Sequence, residues 1–300
     1  MHQNRHLLPH LLLAFTAWLV ANPSPAANLY LSLGSGGDSY YSRGLDFDSP
    51  MGDLPLIFRA GVFQGVSGGD VSMQSLSAGL DWQINDVVSV GATASRIDDD
   101  VFRMDGLEAS ASLSLNPLWG SKLTTALNLD YGEMDYAPDT TRNLPASLLA
   151  RLPRQSHYAI GLTQNLSESV YVYASYTDYD YTNDPAALAQ AVATAFLSRR
   201  RLPPNPAYTV AAFPKDTLST AVGWQADPRF ALSASYSESK TAIGQDLRSA
   251  ALGMTYYADT FHVGITLTNS RSSSIKTPGG LTLSPDSDDN YLDLSVGWYL

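Results

Sequence analysis

The sequence predicts an all-β chain folded as an antiparallel barrel across a membrane. Three observations predict it. Alternating apolar and polar residues recur along most of the 300 residues. The links between alternating segments are by turns short and long. The last ten residues, from Tyr291 to Leu300, alternate without a break. Successive side chains in a strand point to opposite faces, so this pattern builds a wall with one oily side and one wet side. A soluble β-sandwich shares the short strands, but nothing forces its links to alternate in length.

Composition agrees. Only 16% of residues are charged, against about 25% in an ordinary globular domain. Yet no apolar run after Ala27 approaches the ~18–20 residues of a membrane helix. Low charge without long apolar runs is what alternation produces, because half of each strand faces lipid and half faces a lumen. Net charge is −11, and loss of Arg5 with a cleaved leader would make it more negative, which argues against nucleic acid as a partner. There are no cysteines, so disulfides, thiolate metal sites and a lipid anchor on Cys are excluded. No cofactor is expected.

The elements follow in order. Arg5 with two histidines opens a polar start, and Leu7 to Ala21 is apolar apart from Pro9, His10 and Thr16. A small-residue stretch then ends at Ala26 and Ala27. This is the layout of a cleaved signal peptide, too short in its core to span a membrane. We assign residues 1–26 to it and 27–300 to the barrel. Asn28–Ser35 reads as a strand with Leu29, Leu31 and Leu33 facing lipid, and Leu56–Val66 as another. Between them Ser39–Phe47 is the weakest segment, because Arg43 shares a face with Leu45 and Phe47. From Leu76 onward come eleven clear segments. Their outward residues begin at Leu76, Val88, Leu107, Leu123, Tyr158, Val170, Leu218, Phe230, Ala250, Phe261 and Leu292. Single-chain barrels of this kind have even strand numbers. The total is fourteen if Ser39–Phe47 joins the wall, and twelve if residues 28–55 stay out of it.

The short links are Asn85–Asp86, Pro117–Ser121, Asn165–Ser169, Ala226–Arg229 and Ala258–Thr260. The longer ones are Ile97–Arg103, Ala137–Pro153, Asp180–Pro214, Glu238–Gly244 and Ser270–Asp289. The longest differs in kind. Asp184 can cap a helix with Pro185 at its first position, and the following run is rich in Ala. Arg199, Arg200 and Arg201 would close it at the end where the macrodipole favours cations, before Pro203 and Pro204 stop it. A helix over Asp184–Arg201 is therefore expected in one long external loop.

The inward face is mostly Ser, Thr, Gly and Ala, too small to fill a barrel of this size, so a water-filled lumen is expected. Its candidate charged and titratable residues are Arg59, Asp81, Glu108, Asp130, His157, Arg248, His262 and Asp293. Both signs occur, so only weak ion selectivity is expected. Inward Tyr171, Tyr173, Tyr257, Tyr291 and Tyr299 can stack sugars, although such residues more often pack or form girdles. Arg199, Arg200 and Arg201 have two readings. They lie outside against lipopolysaccharide phosphates, the arrangement we favour, or the loop folds inward and narrows the pore with positive charge. Catalytic motifs are lacking: no GxSxG, HExxH or phosphate loop occurs. A Ser156–His157 pair would be the one hydrolytic candidate.

The closing segment YLDLSVGWYL resembles the C-terminal signal of bacterial outer-membrane β-barrels, departing from it in ending on Leu300 where that class ends on Phe or Trp. The resemblance covers the mature chain at class level, porin-like without a narrower family. It implies export through the periplasm, insertion by the barrel-assembly machinery into the outer membrane of a Gram-negative-type bacterium, and contact with outer-membrane lipid and lipopolysaccharide. The expected function is a passive, weakly selective channel for small solutes. The alternatives are a non-conducting platform at the surface or for secretion, and an outer-leaflet lipid hydrolase using Ser156 and His157.

Overall fold

The computed structural model describes residues 27–37, 40–52, 54–67, 70–99, 102–116, 123–138, 152–185, 187–188, 213–276, 282–284 and 286–300. The strands are β1 (Asn28–Gly36), β2 (Tyr41–Pro50), β3 (Leu56–Ser67), β4 (Asp70–Gln83), β5 (Val88–Asp99), β6 (Phe102–Ser114), β7 (Thr125–Pro138) and β8 (Arg154–Asn165). They continue with β9 (Val170–Tyr181), β10 (Pro214–Asp227), β11 (Phe230–Thr241), β12 (Asp246–Tyr257), β13 (Phe261–Ser272), the short β14 (Ile275–Lys276) and β15 (Thr282–Ser284), and β16 (Ser287–Tyr299). Fourteen of them form one closed antiparallel barrel, while β14 and β15 pair as a small ribbon of their own. The first and last wall strands close it, with Asn28 opposite Tyr299 and Gly36 opposite Tyr291. The wall therefore starts at Asn28. The doubtful second segment is β2, where Arg43 does stand on the outer face but donates from Nε to Gln64 Oε1 at 2.7 Å. That bond satisfies a charge which would otherwise sit bare beside Leu33.

The outer face carries the apolar series. Leu107 and Leu252 are 65% and 66% exposed, the signature of side chains meant for lipid. Trp82, Trp224, Phe230, Phe261 and Trp298 gather toward the end that holds the C-terminus, and Tyr131, Tyr158, Tyr176 and Tyr236 toward the other. Aromatic rings in two bands mark the interfaces of a bilayer.

Links at the C-terminal end are tight because side chains take over the freed backbone donors. Asn85 Oδ1 accepts from the amides of Val87 and Val88 at 2.8 and 2.9 Å. Asp227 Oδ1 accepts from Arg229 and Phe230 at 2.6 and 3.1 Å. Ser167 Oγ accepts from Ser169 and Val170 at 3.2 and 3.1 Å. These are the turn-forming habits of Asn, Asp and Ser.

At the far end two expected loops prove to be wall. Ile97–Arg103 is mostly strand, and Glu238–Gly244 shrinks to a turn in which Gly244 takes φ +83°. The reason is charge on the outer face. Arg96 pairs with Asp105 at 2.6 Å and Arg271 with Asp288 at 3.1 Å on the outer side, so the strands run on past the apolar belt where alternation no longer shows. The helix expected over Asp184–Arg201 falls mostly outside the described residues. Within them, the Leu188 amide donates to the Asp184 carbonyl at 3.3 Å, a single helical turn.

Candidate functional site: the lumen

Fourteen strands about 4.8 Å apart and tilted near 40° give a wall of backbone radius about 14 Å. Inward side chains must then decide how much of that space stays open. Over β10 to β13 they are small: Ser219, Ala221 and Gly223 on β10 stand opposite Ser237, Ser235 and Ser233 on β11, and Ala251 and Gly253 on β12 follow.

The candidate residues fall as follows. Arg59 on β3 and Asp81 on β4 share the inner face and pair at 2.8 Å. Glu108 on β6 and His157 on β8 approach to 3.4 Å across Gly132. The His157 ring lies where a β-carbon on Gly132 would be, and Tyr179 follows at 5.6 Å between ring centres. Asp130, beside Ser110 and Ala159, is on the same face. Asp293 on β16 reaches over Gly34. His262 on β13 lies over Gly297, with Tyr30, Tyr257 and Tyr299 at 5.5, 5.7 and 5.6 Å. Its Nδ1 is 3.1 Å from the Tyr299 hydroxyl.

Arg248 is a correction. It was expected in the lumen, but it pairs across the sheet with Glu238 and Arg271, in step with Ala250 and Leu252 on the outer face. Its Nη2 binds Glu238 at 3.1 Å. A second correction concerns Ser156 and His157. Ser156 stands opposite Glu133 on the outer face and His157 opposite Gly132 on the inner one, so the wall separates them and they do not form a catalytic pair. Arg199, Arg200 and Arg201 lie outside the described residues.

Sequence reading missed two inner features. Asp46 and Asp48 on β2 alternate with Leu45 and Phe47 and so face the lumen; parity alone would have found them once β2 was accepted. The other is an apolar cluster on the inner wall at the far end. Phe102, Met104, Tyr136, Leu188 and Phe213 are buried together there. Phe213 lies 5.2 Å from Tyr136 and 5.9 Å from Tyr181 between ring centres. Tyr181 donates to the Pro214 carbonyl at 2.6 Å. Both described ends of the β9–β10 link are thus fixed to the inside of the mouth. No spacing in the sequence announces a cluster assembled from β6, β7 and a link far away in the chain.

A closed wall of fourteen strands, oily outside and polar within, matches solved structures of one kind. The CymD monoaromatic hydrocarbon channel superposes with a TM-score of 0.52 at 10% identity, over 97% of this chain and 92% of that one. Omp33 of Acinetobacter baumannii, an outer membrane protein, gives 0.50 at 8% identity, over 92% and 98%. The fold is that of the bacterial outer-membrane β-barrels. No protein-family model and no curated protein matches the sequence. In this barrel the lumen is lined by side chains from every wall strand, which is where solute contacts would arise.

Proposed function

We propose that the barrel is a passive, weakly selective channel for small solutes in the outer membrane of a Gram-negative-type bacterium. The observation that carries this reading is the inner face: a fourteen-strand wall lined over the middle of β10 to β13 by Ser, Ala, Gly and Thr. Such side chains leave the centre of a barrel this wide to water. The chain is exported with residues 1–26 as leader, inserted by the barrel-assembly machinery, and set among lipid and lipopolysaccharide by the two aromatic bands.

Liposome swelling tests the reading. Vesicles holding the refolded barrel, diluted into isosmotic sugars, swell fastest with pentoses and progressively more slowly as the sugar grows. Vesicles that stay sealed to pentoses, with the barrel folded and inserted, would overturn it.

A further inference from the structure

Moving Arg248 to the outside changes the charge balance of the lumen. Among the described residues Arg59 is the only arginine on the inner face, and Asp81 already binds it at 2.8 Å. Lys215 sits in the register shift at the head of β10, at the far end. Against these stand Asp46, Asp48, Glu108, Asp130 and Asp293, all on the inner face. No ion pair joins Asp46, Asp48, Asp130 or Asp293 to an arginine or lysine among the described residues. The carboxylates lie on β16, β2, β6 and β7, and among the described residues they give the inner face an excess of negative charge.

The opposite side offers something else. In the closed order β9 lies seven strands from β2 in either direction, so Tyr171 and Tyr173 face Asp46 and Asp48 across the barrel. The heights agree, since Tyr171 is next to the C-terminal-side end of β9 and Asp48 is near that end of β2. Tyr171 has its ring laid on Gly223, where any β-carbon would collide with it. The ring that packs on this glycine is 44% exposed, and an aromatic π face attracts cations.

We propose that the lumen prefers cations and that its solutes are small organic cations, ammonium or guanidinium compounds, drawn by the Asp46 and Asp48 carboxylates on one wall and by the Tyr171 ring on the other. This rests on the channel reading above and gives its weak selectivity a sign. The test is the zero-current potential of the barrel in a planar bilayer under a tenfold KCl gradient, with choline chloride then added as a blocker. The wild-type barrel gives a K⁺ to Cl⁻ permeability ratio above one. The double variant Asp46→Asn/Asp48→Asn lowers that ratio by about twofold or more. Tyr171→Leu leaves the ratio in place and weakens choline block by about threefold. A conducting barrel with a ratio at or below one overturns the proposal and leaves the channel reading standing. So does a ratio, with choline block, that neither variant moves. A folded barrel that passes no current overturns the channel reading and the proposal with it.

Discussion

Arg248 and Glu238 face one another on the outside of the wall, the arginine Nη2 3.1 Å from a carboxylate oxygen. The pair stands on β12 and β11 above the apolar belt, in line with Arg271 and Asp288 on β13 and β16. Arg248→Ala should therefore leave single-channel conductance and ion preference unchanged, because the side chain never reaches the lumen. Bilayer recording checks this. A changed reversal potential would mean that the face assignment of β12 is wrong.

The inner aromatic rings need the glycines beneath them. A β-carbon on Gly297 would overlap the His262 ring and crowd Tyr30. Gly297→Val should cost about 1–3 kcal/mol, the usual penalty of overpacking a filled site. Adding His262→Ala should restore most of the loss, since the cavity left by the ring takes the new side chain. Urea unfolding of the barrel in lipid, followed by tryptophan fluorescence, gives both numbers.

The two faces should respond oppositely to the same charge. Leu252 is 66% exposed on the outer face of β12, and an arginine there should cost about 2–4 kcal/mol in a bilayer. Ser235, on the inner face of β11 between Ala221 and Ala251, should accept arginine with little change in stability and with reduced conductance. Folding titrations in vesicles and bilayer recording separate the two effects.

Phe213 is fully buried among Phe102, Tyr136, Tyr181 and Leu188. Phe213→Ala should cost about 3 kcal/mol at that cluster and free the described ends of the β9–β10 link from the inner wall. Hydrogen exchange should rise at Thr182–Leu188 and leave the amides of β12 and β13 protected. A uniform rise across the wall would contradict a local role for the cluster.

Within the apolar belt the sequence was a good guide. Alternation from Leu76 to Leu294 names the outward residues that the register confirms, since lipid on one side and water on the other force the pattern. Beyond the belt the outer face carries charged residues in place of apolar ones and the pattern stops, which is why the far ends of β5, β6, β11 and β12 read as loops. Arg248 was misplaced although parity with the outward Ala250 and Leu252, two and four residues on, already puts it outside; a charge is expected in a wet lumen, and only the register shows that the outer face above the apolar belt is charged too. Asp46 and Asp48 were hidden by doubt over β2, whose outward Arg43 breaks the oily series until Gln64 is seen to bind it. The far-mouth cluster depends on contacts between distant segments, and no local pattern encodes those.

The most direct test of the account is single-channel recording of the refolded barrel in a planar bilayer in symmetric KCl. The account predicts discrete, ohmic current steps that persist at either polarity, as a water-filled lumen requires. A correctly folded, inserted barrel that produces no steps would contradict it.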